Sequence, residues 1–176
     1  MDELLARLRS AGAHETYPPA SDDDVAATER ALRRPLPPSF RAFLKGFSNG
    51  AYLFMLQEVS AAGAGNAQIG AIQDVLPNVI LASGDTAVGL DSGGSVSAGA
   101  LVPFSLDHNG NCWCFLTSEA APDGEYPVAY FDADHEQLYG RLQGFQAWLT
   151  VLVDEQDEVI RTLYDDDVLQ GELGLG

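Results

Sequence analysis

The sequence predicts an α+β domain in which N-terminal helices and a C-terminal helix pack on a mainly antiparallel sheet. Helical periodicity is clearest in residues 1–50 and in the stretch beyond residue 144. Between them, short apolar runs alternate with turns rich in Gly, Asn and Ser, the pattern of strands and hairpins. Hydrophobic residues make up 46% of 176 residues, enough for one modest core and too many for a disordered tract. Helices first, then hairpins, then a closing helix place the helices on one sheet face and leave the opposite face free.

The elements follow in order. Leu4, Leu5 and Leu8 give residues 3–11 a short helix, which the segment from His14 to Ala20, with Pro18 and Pro19, breaks. Ser21-Asp-Asp-Asp24 then reads as a capping box, a hydroxyl cap with acids in the first helical turn. Val25, Thr28, Ala31 and Leu32 form the inward face of that helix. Pro35-Leu-Pro-Pro38 stops it and starts the next, since proline fits a first helical turn. Phe40, Phe43, Leu44 and Phe47 recur at i, i+3, i+4 and i+7, an apolar stripe, and Asn49-Gly50 ends the helix.

Strand patterns take over at Ala51–Leu56. Residues 60–70 read as an Ala/Gly loop, Ile69–Leu76 as a short helix and Val79–Ala82 as a buried strand. Residues 84–99 are rich in Gly and Ser, with a short strand at Thr86–Leu90. Leu101–Leu106 and Cys112–Thr117 flank Asp107-His-Asn-Gly-Asn111 as a hairpin. A turn at Ala121-Pro-Asp-Gly124 leads to strands at Pro127–Asp132 and Leu138–Gln143. Phe145, Trp148, Leu149, Leu152 and Val153 open the last helix, which Val159, Ile160, Leu163 and Tyr164 continue before the polar tail at Asp165-Asp-Asp167.

Searches for chemistry return little. Gly63-x-Gly65 is followed by Gln68 where a dinucleotide fingerprint needs glycine, and the sole lysine, in Leu44-Lys45-Gly46, builds no P-loop. Ser95 occupies the first glycine position of a nucleophile elbow. Cys112 and Cys114 supply two ligands where structural zinc takes four, so core packing is the expected role of both. Asp132-Ala-Asp134-His135-Glu136, with Asp107-His108, is the one cluster that offers oxygen and imidazole ligands for a divalent cation. It lacks the glycine and terminal glutamate of a calcium loop and reads better as a solvated turn. No cofactor and no catalytic residue is expected.

Charge is the more informative signal. Residues 1–50 hold seven acids and seven bases, residues 51–118 five acids and no base, and residues 119–176 fourteen acids against Arg141 and Arg161. The net charge of −17 repels nucleic-acid phosphate and anionic membrane, and it attracts a basic protein or simply aids solubility. Met1-Asp-Glu-Leu lacks the basic start and apolar stretch of a signal peptide, and the apolar runs are too short to span a bilayer. The cytosol is the expected compartment.

One stretch resembles a known family. Val25, Glu29 and Leu32, then Leu36-Pro37-Pro38-Ser39-Phe40, Phe43-Leu44 and Ser48-Asn49-Gly50 resemble the opening of the SUKH superfamily, the Smi/Knr-like proteins. Gly84-Asp85, Leu90-Asp91, Leu101-Val-Pro-Phe104, Asp107-His-Asn-Gly110 and Gly144-Phe145-Gln-Ala-Trp148-Leu149 are similar to its later motifs. Phe40 stands where the family often has Tyr, and Ala51 where it often has a second Gly. The resemblance divides the chain into a short helix and linker (1–20), a SUKH-like domain (21–155), and a continuation of the last helix with an acidic tail (156–176).

It implies no enzyme. It implies either an immunity-type protein that binds and neutralises a toxin, commonly a nuclease, or a Smi/Knr-type regulator or scaffold acting through protein contacts. Glu29, Leu36, Pro37, Asn49, Gly50, Gly84 and Asp85 then serve packing and turns. For a basic partner, the expected surface is the acidic loops at Glu119, Asp123, Glu125, Asp132, Asp134 and Glu136, brought to one end or face of the sheet, with Tyr126 or Tyr130 as exposed anchors.

Overall fold

The computed structural model describes residues 1–11, 14–54, 57–79, 86–107 and 111–162, and for residues 14, 76–79 and 155–162 the backbone alone. In chain order these form α1 (Asp2–Ala11), β1 (His14–Thr16), α2 (Asp22–Leu32), α3 (Pro38–Gly46), β2 (Ala51–Leu53), β3 (Gln57–Val59), α4 (Ile72–Val79), β4 (Ala87–Leu90), β5 (Ser95–Ser97), β6 (Leu101–Leu106), β7 (Cys112–Leu116), β8 (Val128–Asp132), β9 (Gln137–Leu142) and α5 (Phe145–Thr162). Among the described residues the strands make one nine-stranded sheet, ordered β1-β2-β3-β6-β7-β8-β9-β4-β5. Every pairing is antiparallel except β4 with β9. The fold is α+β, as the order of patterns predicts.

The N-terminal signals act as read. The Ser21 hydroxyl accepts the Asp24 amide at 3.1 Å while the Asp24 carboxylate accepts the Ser21 amide at 3.0 Å, a reciprocal box that satisfies two otherwise orphaned donors. Arg33 closes α2 in the left-handed region, at φ 56°. Glu29 then pins the following turn: its carboxylate accepts the Leu36 amide at 2.9 Å and meets the Arg41 guanidinium at 3.3 Å. That turn aims α3 so that Phe40, Phe43 and Leu44 are fully buried.

Phe40 is the centre of the core. Its ring lies 5.0 Å from that of Phe145 on α5 and 5.4 Å from that of Phe115 on β7, both edge-on, and 6.0 Å from that of Phe104 on β6. Phe104 and Phe115 stack at 4.3 Å across the β6–β7 pair. Edge-to-face and offset arrangements of this kind contribute beyond area burial, so one residue ties two helices to two central strands.

Several elements differ from expectation. Three-residue strands at β1, β3 and β5 were not predicted, because a period of two cannot declare itself over three residues. Helix α3 ends at Gly46, before Asn49-Gly50. Asn49 instead grips the backbone of Ala62, accepting its amide at 2.7 Å and donating to its carbonyl at 3.3 Å. Gly50 does take a positive φ of 81°, and a Cβ there would sit 3.0 Å from Ile69 and 3.1 Å from Ala61. Ala31 is exposed, not inward, because α2 turns only a narrow stripe toward the sheet. Val79 ends helix α4 rather than opening a strand. Leu56, Ile80–Ala82, Gly84-Asp85, the hairpin tip 108–110 and the tail beyond 162 lie outside the described residues.

The face opposite the helices is only partly free. Cys112, Cys114 and Leu116 of β7, Ala129 and Phe131 of β8, and Leu138 of β9 form a second buried cluster there with Val88 and Val96 of the β4–β5 hairpin. The reason is compositional: β7 is apolar throughout and β8 is apolar or aromatic up to its terminal Asp132, so both their faces leave water. The two cysteine Sγ atoms are 3.4 Å apart and unbonded, and burial pushes the Cys114 thiol well above its ordinary pKa.

Phe43→Ala should cost about 3–5 kcal/mol of unfolding free energy in a urea titration, the usual cost of emptying an aromatic core site. A loss below about 1 kcal/mol would mean that α3 does not bury this face.

Candidate binding surfaces

The expected acidic site divides into two places. Glu119, Asp123 and Glu125 precede β8, whereas Asp132 ends it and Asp134 and Glu136 follow. At roughly 3.3 Å per residue the five-residue strand holds the two sets about 13 Å apart, at opposite ends of the sheet.

At the first end, Glu125 is a structural group. Its two carboxylate oxygens accept the Ser39 amide and the Ser39 hydroxyl, each at 2.7 Å. Helix α3 begins after Pro37, which has no side chain able to cap, so a carboxylate from 86 residues away caps the helix instead. Glu119 pairs with Arg141. Asp123 is exposed and accepts only the Glu125 amide, at 3.1 Å. Beside them, an open groove of about 930 Å³ runs between this loop, the end of β9 and α5, with Leu142, Ala147 and Val151 on its lining.

Tyr126 and Tyr130 are not exposed anchors. They are 5% and 1% exposed, and their hydroxyls are engaged: Tyr126 donates to the Pro35 carbonyl at 3.2 Å, Tyr130 to Asp107 Oδ2 at 2.7 Å. Both rings belong to the core under the helices: Tyr130 points inward with Val128 at even spacing on β8, and Tyr126 joins them from the segment just before the strand. Burial, and then the bond to Asp107, pushes the Tyr130 hydroxyl far above its ordinary pKa, so it stays a neutral donor.

At the second end, Asp132 is also inward, 5% exposed. Its carboxylate accepts the Asp134 amide at 2.8 Å and the His135 amide at 3.1 Å, and lies 2.7 Å from His135 Nδ1. Burial pushes this carboxyl up, yet the bonds from His135 and Asp134 outweigh it and hold it below the usual carboxylate value. Asn111 ties the neighbouring turn in, its side-chain oxygen accepting the Ala133 amide at 3.0 Å. The Asp132 carboxylate, part of the suggested cation site, is thus a turn-maker, and among the described residues no group of three or more His, Cys, Asp or Glu is placed to hold a metal. Asp134 and Glu136 remain as exposed acids.

A further group escaped sequence reasoning. The register aligns Glu15 of β1 with Tyr52 of β2 and Tyr52 with Glu58 of β3, so the three side chains form one row on the face away from the helices. Tyr17, two residues beyond Glu15, joins the same face. Tyr52 donates to Glu58 at 3.1 Å, and Tyr17 bonds Gln68. Partial burial, then the nearby glutamates, raises both tyrosine hydroxyls above their ordinary pKa. The row continues through Leu106 to Cys112 and Phe131, which sets it at the same end of the sheet as Asp134 and Glu136.

These carboxylate-braced turns and the Leu-Pro and Asn-Gly positions lie inside a region that a known family matches. The profile of the SMI1/KNR4 family (SUKH-1) covers residues 19–151. The chain belongs to the SMI1/KNR4 family. The family motifs read from sequence have structural duties here: Glu29 pins the Leu36 turn, and Asn49 and Gly50 fold the chain onto Ala61 and Ala62. A search of curated proteins returns no match to the chain.

Two outcomes separate structural from free acids. Glu125→Ala should lose about 1–2 kcal/mol of stability as a lost helix cap, while Asp123→Asn should stay within about 0.5 kcal/mol, both read by denaturant titration. Asp132 has a depressed folded pKa, so its contribution is complete above the unfolded value and disappears as pH falls through the folded one. Below about pH 4, therefore, wild type should lose stability more steeply than Asp132→Asn, measured as melting temperature against pH.

Proposed function

We propose that this SMI1/KNR4-family chain is an immunity-type protein that neutralises a partner toxin by direct binding, the toxin presenting a basic surface such as the substrate cleft of a nuclease. The observation that carries this reading is the distribution of charge. No lysine or arginine occurs between Lys45 and Arg141, so β2 through β8 offer a partner carboxylates and no competing cation. A surface of one sign steers an oppositely charged partner and repels nucleic acid, the substrate with which such a partner would otherwise engage. The inhibitor needs no catalytic group of its own. A regulatory or scaffold role in the Smi/Knr manner, also through protein contacts, is the second reading and is favoured by the same surface.

Co-expression with a cationic toxin domain tests the choice: restored growth together with a complex of the purified proteins supports immunity. A complex without protection supports the regulatory reading. Steering should reside in the exposed turn acids. Asp134→Asn with Glu136→Gln should lower the association rate several-fold at low salt and flatten its salt dependence, because free charges beyond roughly 8–10 Å are screened at physiological ionic strength. Asp132 is left intact in this variant because it holds the turn together. Nucleotides or zinc at ligand excess should leave the melting temperature unchanged; a rise of several degrees with either would count against a pure binding protein.

A further inference from the structure

We propose that the outer face of β1–β3 is the seat of the partner, where Glu15, Tyr17, Tyr52 and Glu58 hold an arginine-bearing segment of a basic protein. The inference rests on the reading of the chain as a binder of a basic partner, and it locates the contact on residues outside the loop set.

The argument starts from the register. Cross-strand neighbours on one sheet face stand about 4.5–5.5 Å apart, so Glu15, Tyr52 and Glu58 present acid, ring, acid in one line. A guanidinium laid on the Tyr52 ring is within about 6 Å of the ring centre and reaches a carboxylate on either side. Tyr17 supplies the second ring. Tyrosine combines a large rigid contact area with few rotors, which is why it recurs at binding hot spots. The rings are half-buried and Glu15 is exposed, so the face is held in place from below and open above.

Charge selects the occupant. Glu15 and Glu58 flank Tyr52 and set a negative local field, which a cation would relieve and a phosphate or an anionic lipid would worsen; that field adds to burial in raising both tyrosine hydroxyls. No lysine or arginine stands on β1, β2 or β3. Along the row that holds Glu58, the buried half of the same sheet face begins at Cys112, two strands on, and Leu101 joins it at the far end of β6, so the open area lies toward the edge that carries this row. Asp134 and Glu136 lie at the same end and attract the partner; the tyrosine row retains it.

The test uses an oligoarginine peptide and an oligolysine peptide of equal length against the full chain, with dissociation constants, rates and an ultraviolet phenolate titration as readouts. Oligoarginine should bind more tightly than oligolysine and should lower the phenolate pKa. Glu15→Gln with Glu58→Gln, which preserves shape, should weaken oligoarginine about tenfold, mostly through faster dissociation. Tyr17→Phe with Tyr52→Phe should retain most of the binding and lose the phenolate signal. Unchanged affinity in the folded glutamine variant overturns the proposal, as does equal binding of the two peptides. An equal phenolate shift from calcium alone would also overturn it, by making the row a divalent-cation site. Protection against a toxin is scored separately. A chain that binds through Glu15 and Glu58 but protects against nothing keeps this surface and loses the immunity reading.

Discussion

The aromatic junction at Phe40 fixes nearly everything else. It joins α3 and α5 to β6 and β7 through rings 5.0–6.0 Å apart, and it decides which face of the sheet the helices cover. Once that face is chosen, the pleat settles the rest: Trp113, Val128 and Tyr130 must point to the helices, and Tyr52, Glu58 and Phe131 away from them. The same junction explains why α3 needs a remote cap. The helix is short and begins with proline, so its first free amides face the 121–127 loop, and Glu125 meets the amide of Ser39 there.

Much of this was legible because the signals are local and redundant. The stripe of Phe40, Phe43, Leu44 and Phe47 repeats over two turns, and the Ser21–Asp24 box names its own residues. The β6–β7 hairpin is bounded by two apolar runs of five or six residues. The candidate site was less legible for a physical reason. An aspartate in a turn looks the same in sequence whether it faces water or its own backbone, and Glu125 and Asp132 face the backbone. Tyr130 likewise sits on the inward side of β8, and Tyr126 just before that strand turns inward with it. The row on β1–β3 was hidden because its strands are three residues long and its members are brought together only by long-range pairing.

The acidic excess therefore has two parts with different work. Some carboxylates cap a helix, brace a turn or pair with arginine, as Asp24, Glu29, Glu125 and Asp132 do. Others, such as Glu15, Asp123, Asp134 and Glu136, stand in solvent. The second group is the more available to a partner, because drawing a carboxylate of the first group away breaks a bond that holds a helix end or a turn. Net charge alone overstates what is available for recognition, and counting the free acids gives the better measure.

The paired thiols beneath the sheet have a practical meaning. Cys112 and Cys114 are fully buried on a central strand, with 3.4 Å between their sulfurs, and each is shielded by neighbours on both sides. A thiol-specific dye can reach them only when the apolar cluster around them opens, Val88 and Val96 of the β4–β5 hairpin among its members. The protein thus carries a built-in clock for its own opening: the rate of labelling reads how often this second cluster comes apart, with no engineered probe to disturb it.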